Sequence, residues 1–372
     1  MSSLFDATTA DDVVRALERG ANINGTRNRK TPLYMACENG NVEVVDALLN
    51  HGANLRVFGN ENLVGIAAKN GYVNIIERLF QAGASINGHP LYYASQEGHI
   101  DVIDFLISHG ADIDYVTYNG TALMAACEFG QIDAVDRLLA AGADVNIINY
   151  NHHNHDRDYY GDEYRKDNAL AIACDEGDLT IVDKLIVHGA KFNVDDRDPP
   201  FIAAAIKYGS DYPDEDIIDR LIELGADINI RGLHGGTALE LAIEENYIFT
   251  IQLLMDKGAD PEIDGDLVYA YSERLINSLL FFYGRGDIDH DDFFDIMNKF
   301  VILGVDINHI YDNGKTLLIE AVETHNIERV RRLIELGADV NVRNDVGQTA
   351  LLIARRNGDE PMIELLLEHG AQ

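Results

Sequence analysis

Apolar positions recur along this chain at helical spacing, in short runs punctuated by glycine. Val42, Val45, Leu48 and Leu49 step by three residues and then one, which predicts a helix with one buried face. A shorter apolar run comes before it, opened by Thr31-Pro32 and closed near Gly40. Threonine there predicts an N-cap, because its hydroxyl accepts from an otherwise orphaned backbone N–H. Proline is tolerated at the first helical position, where no N–H is needed. Glycines that close such first helices stand at Gly40, Gly71, Gly98 and Gly130. The second helix of each pair closes at another glycine, where a left-handed residue is needed. That glycine opens a five-residue phrase: glycine, a small residue, a polar one, an aliphatic one, then Asn or Asp. Gly20-Ala21-Asn22-Ile23-Asn24 and Gly337-Ala338-Asp339-Val340-Asn341 are two of its clear copies. The phrase glycines are separated by 32, 31, 27, 32, 47, 36, 33, 46, 33 and 33 residues. A period near 33 predicts stacked helix pairs, not two independent globules.

The capped run repeats as Thr31-Pro32-Leu33-Tyr34-Met35-Ala36, Thr121-Ala122-Leu123-Met124-Ala125-Ala126, Thr237-Ala238-Leu239-Glu240-Leu241-Ala242 and Thr349-Ala350-Leu351-Leu352-Ile353-Ala354. With these phrases the chain resembles the ankyrin-repeat proteins, whose motif reads Thr-Pro-Leu-His-x-Ala. The resemblance implies an all-α fold: an ankyrin-repeat solenoid of stacked helix-turn-helix units joined by hairpin-like loops. It implies one repeat domain over residues 1–372. The approximate units are 1–24, 28–56, 59–87, 88–114, 117–146, 165–193, 198–229, 233–262, 265–308, 312–341 and 345–372. Departures are local. The motif histidine is absent from every copy, Asn246 and His325 replace the inter-helix glycine, and the first unit is too short for two full helices.

The broken spacings predict where the array is irregular. The spacing of 27 removes a hairpin, since Gly83 runs almost directly into His89-Pro90-Leu91. The spacing of 47 inserts a polar, aromatic finger at about 149–165, and the spacing of 36 adds the acidic loop around Asp211. The spacing of 46 lengthens a first helix, to about Leu267–Tyr283, and places an inter-helix insertion at about 279–291. Insertions of this kind fall on loops and often carry binding.

Charge narrows the function. Against 29 basic residues stand 63 acidic ones, a net charge of −34 at 47% apolar content. Burial is affordable for such a chain, but phosphate neutralisation is not, so nucleic acid and anionic membrane are excluded as partners. The longest apolar runs are too short to span a bilayer, and Met1–Asp6 shows no secretory signal, so a cytoplasmic location is expected. A monomer is expected.

No catalytic motif emerges. Cys37, Cys127 and Cys174 share one repeat position and are read as small packing residues, too far apart to bridge. His152, His153 and His155 with Asp156 lie too close in sequence to close a metal tetrahedron unaided, so no metal is assigned. Asp287, Asp289 and Asp291 imitate the start of a calcium loop, but Asp292 and Asn298 stand where glycine and glutamate are required. No cofactor and no catalysis are expected.

What remains is surface. Repeat proteins of this resemblance bind partners along the first-helix face. Its exposed positions fall just before the inter-helix turn, and six of nine such pairs hold an acid, including Glu38, Glu97, Glu128, Asp175, Glu176, Glu244 and Glu245. An acid at a helix C-terminus opposes the macrodipole at a cost of a few tenths of a kcal/mol, so stability does not ask for them. Tyr93, Tyr115, Tyr118 and Phe129 interleave with these acids, and Tyr150, Tyr159, Tyr160 and Tyr164 crowd the finger. Tyrosine on a wet surface is a common interface anchor. Tyr34 and Tyr92, inside the capped phrase, suit packing equally well. The expected function is a non-enzymatic adaptor or scaffold whose acidic, tyrosine-bearing concave surface binds another protein with a basic surface. The alternative is an inhibitor or immunity-type protein that imitates nucleic acid and blocks a basic enzyme.

Overall fold

The computed structural model describes residues 3–55, 62–149, 168–192, 199–207, 210–232, 235–261, 265–310 and 314–372. Among them no extended strand occurs, only isolated bridges such as Arg27 with Lys30 and Thr117 with Gly120. Two compact units are present: residues 1–204 with 216–226, and residues 205–215 with 227–372.

The first unit opens with a short 3-10 turn (Leu4–Asp6) and α1 (Ala10–Glu18), so its first repeat is abbreviated as expected. Helix pairs follow: α2 (Pro32–Glu38) with α3 (Val42–Asn50), α4 (Leu63–Lys69) with α5 (Val73–Gln81), α6 (His89–Glu97) with α7 (Ile100–Ser108), and α8 (Ala122–Glu128) with α9 (Ile132–Ala140). The series continues with α10 (Ala169–Glu176), α11 (Leu179–Val187), α12 (Pro200–Ala205) and α13 (Glu215–Glu223). First helices stack on first helices, α4 on α6 on α8 on α10, and second helices stack likewise. The core between the two rows is aliphatic, with Val45, Leu48, Ile75, Ile103, Leu106, Val135 and Leu138 fully buried.

Caps explain why these short segments hold. Thr31 Oγ1 accepts from the Tyr34 amide at 3.1 Å and Thr121 Oγ1 from Met124 at 3.2 Å. Asn168 performs the same office for α10 at 2.8 Å. Each cap stabilises its helix by about 1 kcal/mol.

The inter-helix glycine serves two needs at once. Gly40 has φ 73° and Gly71 has φ 75°, both left-handed. A Cβ on Gly40 would also lie 2.6 Å from the Tyr72 ring of the next pair, and one on Gly71 would lie 2.9 Å from His99 Nδ1. Backbone conformation and close approach therefore both require glycine there. The five-residue phrase acts as a stitch between units. Asn24 Oδ1 accepts the Asn54 amide at 2.8 Å, and Asp114 Oδ1 accepts the Asp144 amide at 2.9 Å. Asn146 both accepts from the Lys191 amide (3.0 Å) and donates to the Gly189 carbonyl (3.1 Å).

The second unit contains α14 (Ala238–Glu245), α15 (Ile248–Asp256), α16 (Gly265–Arg285), α17 (His290–Ile302), α18 (Leu317–Glu323), α19 (Ile327–Glu335), α20 (Ala350–Asn357) and α21 (Glu360–Glu368). The same stitches recur, from the Asp260 amide to Asn229 at 2.9 Å and from the Asp339 amide to Asn308 at 2.8 Å. Asn246 and His325 adopt φ 63° and 56°, so they fill the glycine positions in the left-handed conformation. Asparagine tolerates this region comparatively well.

The long spacing in this unit is spent mostly on helix. α16 has 21 residues and α17 has 13. Asp289 caps α17 by accepting the Asp292 amide at 2.9 Å, and Asp287 pairs with Arg285 at 3.0 Å. Those two aspartates thus have structural partners of their own. Arg329 is buried at the third position of α19, where Ile75 and Val102 stand in the first unit. Its guanidinium lies over the rings of Phe293 (5.4 Å) and Tyr283 (5.7 Å).

Candidate interaction surface

Because first helices stack in register, their C-terminal residues come into line. In the first unit Glu97 ends α6, Glu128 ends α8, and Asp175 and Glu176 end α10, with α8 packed against both neighbours. Glu97, Glu128 and Glu176 are exposed, and Asp175 is half-buried. Four carboxylates thus end three adjacent helices, and no lysine or arginine occurs within those helices. Glu38 ends α2, two steps outward from α6 beyond α4. It pairs with Lys30 Nζ at 2.7 Å, and that ammonium also lies 5.0 Å from the Tyr34 ring centre. Its charge is largely compensated locally.

The aromatic residues sort into two groups. Tyr92 is buried, and Tyr93 is half-buried edge-on to it at 5.8 Å. Burial pushes the Tyr92 phenol up to about 12, and the Glu128 and Tyr93 charges push the same way. Tyr92 is therefore a packing residue whose ring lies within the field of Glu128. Phe129, Tyr115 and Tyr118 are exposed, at 49%, 43% and 44%. Tyr115 leans on the backbone at Gly88, where a Cβ would lie 3.6 Å from its ring. Glycine at that N-cap is required by its positive φ of 95°. Tyr150, Tyr159, Tyr160, Tyr164 and the finger histidines lie outside the described residues.

Glu244 and Glu245 end α14 in the second unit, where both are half-buried. The Arg274 guanidinium donates to their backbone carbonyls at 3.2 and 3.4 Å, capping the helix C-terminus with a cation. A local positive charge thus accompanies this pair.

Metal and thiol chemistry find no support among the described residues. No group of three or more His, Cys, Asp or Glu side chains is placed to hold an ion. All three cysteines are buried. Burial pushes the Cys37 thiol up to about 12 and raises that of Cys127 as well, so both stay protonated and poorly nucleophilic. No described helix is long and apolar enough to cross a membrane.

One feature of the second-helix row escaped the sequence reading. An acid at the fifth position of one helix pairs with a base at the sixth position of the next. The pairs are Asp46 with Arg78 (3.1 Å), Asp104 with Arg137 (3.1 Å), Asp136 with Lys184 (2.6 Å) and Asp183 with Arg220 (2.7 Å). The signal was present as the dipeptides Asp136-Arg137, Asp183-Lys184 and Asp219-Arg220, recurring at one repeat position.

A family model described as ankyrin repeats (3 copies) matches residues 4–89, 64–149, 154–264 and 288–372. Among curated proteins, the chain is 35% identical over 97 residues to "Ankyrin repeat and KH domain-containing protein 1" of Homo sapiens, which covers 23% of this chain and 4% of that protein. It is 33% identical over 111 residues to "Ankyrin repeat protein nuc-2" of Neurospora crassa, covering 27% and 10%. A Caenorhabditis elegans protein, "Ankyrin repeat and KH domain-containing protein mask-1", is 31% identical over 103 residues, covering 25% and 4%. The chain thus spans a small part of the length of each of these relatives.

Proposed function

The chain belongs to the ankyrin-repeat family, and from that premise we propose that it is a non-catalytic adaptor or scaffold that binds a basic protein segment through the first-helix face of its first unit. The division into eleven repeats belongs to the same proposal. The supporting observation is the row Glu97, Glu128, Asp175 and Glu176 at the aligned C-terminal ends of three stacked helices. Exposed Phe129, Tyr115 and Tyr118 lie in the same part of the unit as apolar anchors. Charge of one sign steers a complementary partner and speeds docking, while aromatic anchors slow its release. Basic helix C-terminal residues would have suited the helix dipole better, so the acids carry a cost that binding explains.

The test is affinity capture with the intact chain, washed at graded salt, followed by calorimetry of the captured protein against E128K/D175K/E176K. Binding by the reversed variant is expected to weaken roughly tenfold or more, and wild-type binding to weaken as salt rises. Unchanged, salt-insensitive binding would remove the assignment. Capture of several unrelated DNA-binding enzymes, displaced by DNA, would favour the nucleic-acid imitator instead.

A further inference from the structure

On the second-helix row of the first unit, the ladder of ion pairs skips one step. Glu77 occupies the fifth position of α5, where Asp46, Asp104, Asp136 and Asp183 stand in their own helices. The sixth position of α7 should supply its cation, as Arg78, Arg137, Lys184 and Arg220 do for the others. Phe105 stands there instead. Arg78, the nearest base in sequence, is engaged by Asp46. Glu77 is left with a weak amide contact from Gln81 at 3.3 Å, and no described cation pairs with it.

The vacated step is lined with rings. Phe105 stacks on His109 at 4.0 Å with 24° between planes, and Phe80 meets Phe105 edge-on at 6.2 Å and His109 at 5.3 Å. Phe80 is exposed. Beside them runs a groove of about 600 Å³ lined by Val73, Asp101, Asp104, Phe105, Ser108 and Arg137, among others. Asp104 is already neutralised by Arg137. Asp101 is exposed, and no described group bonds to it.

We propose that this groove is a docking site for an arginine side chain of a partner protein, whose guanidinium stacks against Phe105 and meets Asp101, on the side of α7 that the ladder register sets beside Glu77. Charge complementarity selects the occupant, since the register calls for a cation and supplies two uncompensated carboxylates. The rings select arginine among cations, because a planar guanidinium stacks on an aromatic face and is weakly hydrated. The site is separate from the first-helix row and does not depend on the reading given for it.

The probe is Nα-acetyl-arginine amide, titrated into the full chain while the ring resonances of His109 and Phe105 are followed by NMR. Saturable shifts are expected, with Nα-acetyl-norleucine amide binding at least about fivefold more weakly. Phe105→Arg restores the ladder base and fills the position from within, so it should fold normally and weaken the probe roughly tenfold. The E77Q/D101N variant keeps the shape and removes the charge, and it should weaken the probe about fivefold, with Phe105 stacking retained. Equal binding of both amides, unsaturable shifts, or undiminished binding by either variant would overturn the proposal.

Discussion

The two helix rows of the first unit treat acidic residues in opposite ways. On the second-helix row, acids at the fifth position alternate with bases at the sixth, and four pairs close between neighbouring helices. On the first-helix row, Glu97, Glu128, Asp175 and Glu176 gather at helix ends that carry no base. A net charge of −34 describes both rows equally and distinguishes neither. Composition alone would spread acids evenly, and their segregation separates a row of closed ion pairs from a row of helix-end acids that we propose serves a partner. The ladder's skipped step shows the same logic in miniature, since aromatic rings replace the cation there.

Breaking the core shared by the two rows should have the largest effect. Ile103 of α7 is fully buried between them, and Ile103→Ala should cost about 2–5 kcal/mol in denaturant unfolding. Binding at either row should then be lost only as far as folding is lost.

A half-buried acid outside both rows sharpens the comparison. In the second unit, Asp211 accepts the Phe249 and Thr250 amides at 3.0 and 3.1 Å, at the start of α15. Burial raises its carboxyl from 3.8 to about 6, and the amides pull the other way. The folded chain therefore holds this proton more tightly than the unfolded one. Its contribution is fully present below about pH 4 and is lost as pH rises through about 6, by up to about 3 kcal/mol. The stability difference between the wild type and Asp211→Asn should follow that curve, and a flat difference would contradict it.

Cutting one rung of the ladder should have the smallest effect. Asp183 and Arg220 are both partly exposed, and Asp183→Ala should cost only about 0.2–1 kcal/mol, less at high salt. A larger loss would mean that the ladder acts as a network.

The legible part of this molecule was whatever the repeat imposes. The Thr31 and Thr121 caps, the left-handed glycines and the buried cysteines each follow from local chemistry that one phrase expresses. The abbreviated first unit and the lengthened α16 were readable from spacing alone. Less legible were the contacts made between repeats. The hydrogen bond from the Asn54 amide to Asn24 needs the stacking register before it can be drawn. The exposure of Phe129 was legible from its place just before the inter-helix glycine, whereas Tyr92, which suited packing and surface alike, is settled as buried only by the stacking of neighbouring helices. The compensation of Glu38 by Lys30 could be suspected only once the hairpin was seen to fold back over α2.

The most direct test compares charge reversal on the two rows of one folded chain. Affinity for the captured partner is measured for E128K/D175K/E176K and for a ladder variant reversed at Asp136 and Asp183, after circular dichroism shows both to be folded. A loss of roughly tenfold or more in the first with little change in the second is predicted. Equal losses in both, or none in the first, would contradict the assignment of binding to the first-helix row.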